Sequence, residues 1–68
     1  MVENISTRLK QLRLEKKLSQ QQVADGILVS QRIISSWESG ENEPKASYSY
    51  KLAKFYDVSA DYLLGLEN

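Results

Sequence analysis

Apolar residues return along this chain at helical spacing, in short bursts separated by turn-forming residues. Ile5, Leu9 and Leu12 predict a first helix that starts near Asn4 or Ser6 and runs to about Lys17. Leu14 lies off that stripe, where it can meet a later element. Leu18-Ser19-Gln20-Gln21-Gln22-Val23 carries two start signals at once. Ser19 with Gln22 forms a capping box, and Leu18 with Val23 a hydrophobic staple. The second helix turns Val23, Ala24 and Ile27 inward and ends near Gly26 or Ile27, because Ser30 already caps a third. Val29 and Ile34 staple that third helix, and Gly40 stops it. A polar loop, Glu41 to Glu43, leads to Pro44, which can open a fourth helix over about residues 45–56. Its inward positions are expected to be Ala46, Tyr50, Ala53 and either Leu52 or Tyr56. Ser59 caps a fifth helix, Ala60 to Leu64, stapled by Val58 and Leu63 and stopped by Gly65. Strand-like alternation is missing throughout, so the expected class is all-α with five helices.

Only about three residues join the second helix to the third, which forces a steep helix-turn-helix crossing, with Ala24 small enough to stand at the contact. On a helical wheel the third helix has two unlike faces. Ile34, Trp37 and Glu38 share one side. Arg32, Ser35, Ser36 and Ser39 share the other, with Gln31 at the leading edge. Short serines allow close approach to a surface, and Arg and Gln can bond guanine and adenine bidentately in the DNA major groove. The same pattern suits an ordinary solvated surface helix.

At 68 residues the chain is expected to be one domain, residues 1–68 with a core over about 5–65. It has no cysteine and no histidine, which removes thiolate metal sites and the commonest general base. With no paired-carboxylate cleft either, an enzyme is not expected, nor a cofactor, a metal or a small-molecule ligand. No apolar run approaches the ~20 residues of a membrane span, and a signal-peptide core is missing, so a cytoplasmic protein of a bacterium or phage is expected. The net charge of zero counts against a nucleic-acid partner, but the charge is polarised: residues 1–34 carry +3 and residues 35–68 carry −3.

Taken together, Arg8-Leu9-Lys10-Gln11-Leu12-Arg13, Leu18-Ser19-Gln20, Val23-Ala24, Val29-Ser30, Ile34-Ser35, Trp37-Glu38-Ser39-Gly40-Glu41, Pro44, Leu52-Ala53-Lys54, Val58-Ser59 and Asp61-Tyr62-Leu63-Leu64-Gly65 resemble the Cro and phage-repressor class of helix-turn-helix domains, also called the XRE family. The resemblance covers residues 5–65. It implies a five-helix, lambda-repressor-like domain whose second and third helices form the DNA-reading unit. It further implies that Gln20 touches a phosphate and braces Gln31. Gln31 and Arg32 then read base edges, with Ser35 and Ser36 as secondary contacts, and Arg13 pairs with Glu38 beneath them.

Four departures from the family pattern stand out. Leu28 replaces a turn glycine, so either it adopts a left-handed conformation at a cost of about 1–2 kcal/mol or Gly26 ends the second helix early. Lys45 replaces a serine after Pro44. Ser49 and Tyr50 stand where leucine is usual. Ile33 replaces a small polar residue; it can touch a thymine methyl or pack beside Trp37, and its flank position favours packing. In the loop after Gly40, Glu41 and Glu43 would oppose phosphates, which leaves Asn42 and Lys45 as phosphate contacts. The expected function is a sequence-specific transcriptional regulator, a repressor that binds a palindromic or pseudo-palindromic operator in double-stranded DNA as a homodimer. Its expected dimer surface is Tyr62, Leu63, Leu64 and Leu66; the alternative is that Tyr62 and Leu63 are core and only Leu66 is exposed. The rival is a protein-interaction module of the same fold, antitoxin-like or an anti-repressor partner.

Overall fold

A computed structural model of the chain describes residues 4–65. Its elements are α1 (Ile5–Glu15), α2 (Gln20–Ile27), α3 (Gln31–Ser39), α4 (Ala46–Tyr56) and α5 (Ala60–Leu63), with no strand among the described residues. The architecture is the all-α, five-helix, lambda-repressor-like one.

Side-chain caps start four of the helices. Asn4 accepts from the Thr7 amide, Ser30 from Ile33 and Ser59 from Tyr62. Ser19 and Gln22 exchange both bonds of a capping box, at 3.0 and 2.8 Å. Each bond satisfies an amide that has no partner within its own helix. The fourth helix lacks such a cap: Lys45 holds the cap position without a side-chain bond, and Pro44 lies one residue before it rather than in the first turn.

Three connections are built alike. Lys17-Leu18-Ser19, Leu28-Val29-Ser30 and Asp57-Val58-Ser59 each consist of a left-handed residue, an apolar residue packed on the core and a serine N-cap. In each, the amide of the apolar residue reaches back to a carbonyl five residues earlier: Leu18 to Arg13, Val29 to Ala24 and Val58 to Ala53. This is the Schellman closure, which satisfies a carbonyl left over at the end of the helix. Leu28 takes the left-handed conformation (φ 63°, ψ 48°), so α2 continues through Gly26 and the turn carries the strain of a leucine there. Gly26 has a different reason to be glycine: a Cβ on it would run into the ring of Phe55 on α4.

One core joins all five helices. Leu9 and Leu12 of α1, Val23, Ala24 and Ile27 of α2, Ile34 and Trp37 of α3, Leu52, Ala53 and Tyr56 of α4, and Leu63 of α5 are buried in it. Ala24 is fully buried. Trp37 meets the Tyr48 ring at 5.6 Å between centroids, tilted by 47°.

Several expectations fail at the edges of this core. The inward face of α4 is Ser49, Leu52, Ala53 and Tyr56, while Ala46 and Tyr50 face solvent. Burying both Leu52 and Tyr56 fixes the rotation of the helix; the small Ser49 then lies one turn back on the same face, and Tyr50 swings out to 67% exposure. Leu14 stays exposed on α1. Ile33 is also exposed and does not pack beside Trp37, because the inner face of α3 is filled by Ile34, Trp37 and the Glu38 side chain. Leu63 is completely buried as the inner half of its staple, so it belongs to the core and cannot form a partner surface. Tyr62 is half-buried under the Arg8 guanidinium, 4.6 Å from its ring centroid. Leu64 remains exposed, and Leu66 lies outside the described residues.

Because the Leu28 side chain gains little from packing, Leu28→Gly should leave stability unchanged or raise it by up to about 1 kcal/mol: relief of left-handed strain is partly offset by a more flexible unfolded chain. Urea unfolding measures the difference, and a loss above about 1 kcal/mol would contradict this account of the turn.

Candidate nucleic-acid interface

The third helix is held from below by a charged pair. Arg13 approaches Glu38 bidentately, Nε to Oε2 at 2.8 Å and Nη2 to Oε1 at 2.9 Å, while Nη1 donates to the Leu18 carbonyl at 2.9 Å. The side chains of Arg13 and Glu38 are only 12% and 5% exposed. Arg13 projects from the last turns of α1 and Glu38 from the last turn of α3, so the pair ties the two helices and caps the α1 closure with one side chain. The hydrogen bond to Glu38 raises the Arg13 pKa above its ordinary value, so the guanidinium stays charged.

From this pair the hydrogen bonds run outward. Gln20, the first residue of α2, donates through Nε2 to Glu38 Oε1 at 3.3 Å. Its Oε1 accepts from Nε2 of Gln31, the first residue of α3. The exposed Gln31 amide is therefore connected through two side chains to the Arg13–Glu38 pair. One N–H and one carbonyl oxygen of Gln31 remain to face outward, the pair of groups a bidentate adenine contact uses.

Arg32 and Ile33 follow Gln31 on the exposed side of the first turn. Behind them a groove of 330 Å³ runs along α3 past Ser35, Ser36 and Ser39 to Glu41 and Asn42. Ser36 donates its hydroxyl to the Ile33 carbonyl at 2.9 Å and Ser39 donates to Ser36 at 3.1 Å, so toward a ligand these two hydroxyls offer lone pairs. The Asn42 amide donates back to the Ser36 carbonyl at 3.3 Å, which anchors the loop after α3; its side chain and that of Lys45 are exposed.

One position at this surface was not singled out by the sequence pattern. Lys10, one turn before Arg13 on α1, shares a concavity with Gln20 and Ser35; its spacing from Arg13 was the available signal. Glu41 comes into the groove beside Arg32 only because Gly40, at φ 85°, turns the chain back along α3.

The sequence model of the helix-turn-helix family matches residues 9–63. The chain belongs to this family, in its Cro and phage-repressor class. The chain is similar to the HTH-type transcriptional activator BcrR of Enterococcus faecalis, 42% identical over 60 residues that make up 88% of this chain and 29% of that protein. It is also similar to the cryptic phage CTXphi transcriptional repressor RstR of Vibrio cholerae, 42% identical over 53 residues, which are 78% of this chain and 48% of that protein. The chain thus spans half or less of the length of these two relatives. Among solved structures, the P22 c2 repressor in complex with a synthetic operator superposes with a TM-score of 0.89 at 31% identity, covering 96% of this chain and 98% of that one.

Beneath the interface, burial pushes the Tyr56 hydroxyl up to about 12, helped by the nearby Glu38 carboxylate. The folded domain therefore keeps this proton where the unfolded chain, with a pKa near 10, releases it. The resulting stability is complete below pH ~10 and disappears as pH rises toward ~12. Phenolate absorbance during alkaline titration should show one tyrosine ionising late, and Tyr56→Phe should remove that step. Breaking the ion pair from one side, with Arg13→Met or Glu38→Gln, should cost about 3–5 kcal/mol, because a buried charge loses its partner. The apolar double replacement Arg13→Met with Glu38→Leu should recover most of that loss in denaturant unfolding.

Proposed function

We propose that residues 5–65 form one sequence-specific DNA-binding unit of a transcriptional regulator, with α3 in the major groove and α2 across the phosphate backbone. The observation that carries this reading is the braced first turn of α3. Gln31 is held by Gln20, Gln20 is held by the Arg13–Glu38 pair, and Arg32 is exposed beside them. A rigid Gln–Arg head can discriminate bases because its donors and acceptors are positioned before binding. Ser35 and Ser36 would serve as secondary contacts. The exposed Ile33 supplies an apolar surface suited to a thymine methyl. Gln20, Asn42 and Lys45, joined by Lys10, would meet phosphates, and the first-turn amides of α2 would add a fixed positive end. The operator complex of the P22 c2 repressor supports this arrangement.

We further propose that the protein acts as a homodimer on a palindromic or pseudo-palindromic operator, with half-sites about 34 Å apart or a multiple of it. With Leu63 in the core, the apolar surface that suits a two-fold contact is a groove of 350 Å³ between the start of α4 and α5, bordered by Pro44, Tyr50, Ala60 and Leu64. Repression is the direction of control this reading takes, by likeness to the phage repressors RstR and P22 c2, against the activator BcrR. The carboxylate of Glu41 inside the reading groove favours the rival of an interaction module without DNA binding.

Selection from a random duplex pool, followed by binding over a salt series, decides between the two. Arg32→Ala or Gln31→Ala should each cost about 1–3 kcal/mol and relax preference at one base pair, and affinity should fall steeply with salt. Ile33→Ala should relax a position selected as thymine. An equal loss on all sequences would remove these residues as base readers, and no enrichment at low salt would favour the interaction module.

A further inference from the structure

At the end of α2 opposite Gln20, a second surface depends on Leu28. This residue is 87% exposed, the most exposed of the large apolar residues described. The cause is local: the residue that closes a helix in the left-handed conformation projects away from the helix it ends. In the two sibling closures that position holds Lys17 and Asp57, whose charged side chains suit water. Only at α2 does the closure combine backbone strain with a bare isobutyl group, and neither feature helps the fold.

Leu28 borders a groove of 380 Å³ between α2 and α4, completed by Gly26, Ile27, Lys51, Lys54 and the half-buried Phe55. Glycine at position 26 is what lets the Phe55 ring lie against α2 and form the floor. Lys51 lines this groove, and its ammonium stands 5.4 Å from the centroid of the Tyr48 ring, one turn back on α4. The lining is thus apolar in the middle and cationic on the α4 side, with no carboxylate.

We propose that this groove is a docking site for an acidic, amphipathic segment of a partner protein, with its apolar side chains on Leu28 and Phe55 and its carboxylates on Lys51 and Lys54. The charge pattern selects that occupant. Phosphates of DNA would gain from the lysines but nothing from an exposed leucine. A second copy could offer the acidic, apolar groove around Asp61 and Leu64, but that contact joins two different surfaces and would build rings or open chains rather than a two-fold dimer. A separate partner closes the site once. The site shares no lining residue with the surface at Arg32 and stands whether or not the Gln31–Arg32 head reads DNA.

The test uses the full chain and a fluorescein-labelled helical peptide of about four turns, with leucines at three- and four-residue spacing and glutamates between them. A control peptide carries the same leucines with lysines in place of glutamates. Fluorescence anisotropy should show saturable binding of the acidic peptide and none of the basic one. Leu28→Gly should weaken it at least tenfold while urea unfolding shows no loss of stability, so the effect cannot be a failure to fold. Lys51→Glu with Lys54→Glu should abolish acidic-peptide binding and confer binding of the basic peptide. The proposal is overturned if both peptides bind alike, or if neither binds, or if Leu28→Gly leaves binding unchanged. Concentration-dependent self-association in sedimentation that Leu28→Gly abolishes would assign the groove to a second copy and overturn it equally.

Discussion

The position of the third helix depends on one desolvated pair, Arg13 with Glu38. Such a pair contributes little net stability, because removing two charges from water costs about as much as their attraction returns. Its contribution is directional. A two-pronged bond between planar groups fixes distance and angle at once, and here it fixes α3 relative to α1. Glu38 then has an oxygen to share with Gln20, and Gln20 with Gln31. A chain of side chains therefore transmits the placement of a buried guanidinium to an exposed amide. The carboxylate that looks misplaced on the apolar face of α3 is the residue that connects scaffold and surface.

The rest of the scaffold reuses one device. Each three-residue closure joins a left-handed residue, an apolar residue and a capping serine, and so satisfies a leftover carbonyl of one helix and an orphan amide of the next. That economy lets a small chain spend its few large side chains on one core. It also separates two kinds of freedom. The apolar and serine positions are constrained by packing and capping. The left-handed position is constrained only in its backbone, so its side chain is available for solvent or for a partner.

Charge follows the same division. The chain is neutral as a whole, yet its basic half contributes α1, α2 and the first turn of α3, the elements around the Gln31–Arg32 head. Local field rather than net charge decides what a surface attracts. The glutamates of the loop after α3 weaken that field at one edge, and Asn42 and Lys45 are the groups there that can still approach an anion.

The sequence by itself determined the helices, their caps and staples, and the polar head of α3. Those features arise from neighbours within a turn or two, through periodicity and local hydrogen bonds that residue order alone encodes. It also carried the family pattern that linked Arg13 to Glu38. Tertiary structure alone decided the rotation of α4, which buried Ser49 and exposed Tyr50, because that rotation depends on how Leu52 and Tyr56 fit the core formed with the other helices. It decided that Leu63 is core, that Ile33 is surface, and that Leu28 rather than Gly26 absorbs the left-handed turn. In each case the pattern along the chain allowed two outcomes, and packing between distant residues chose one.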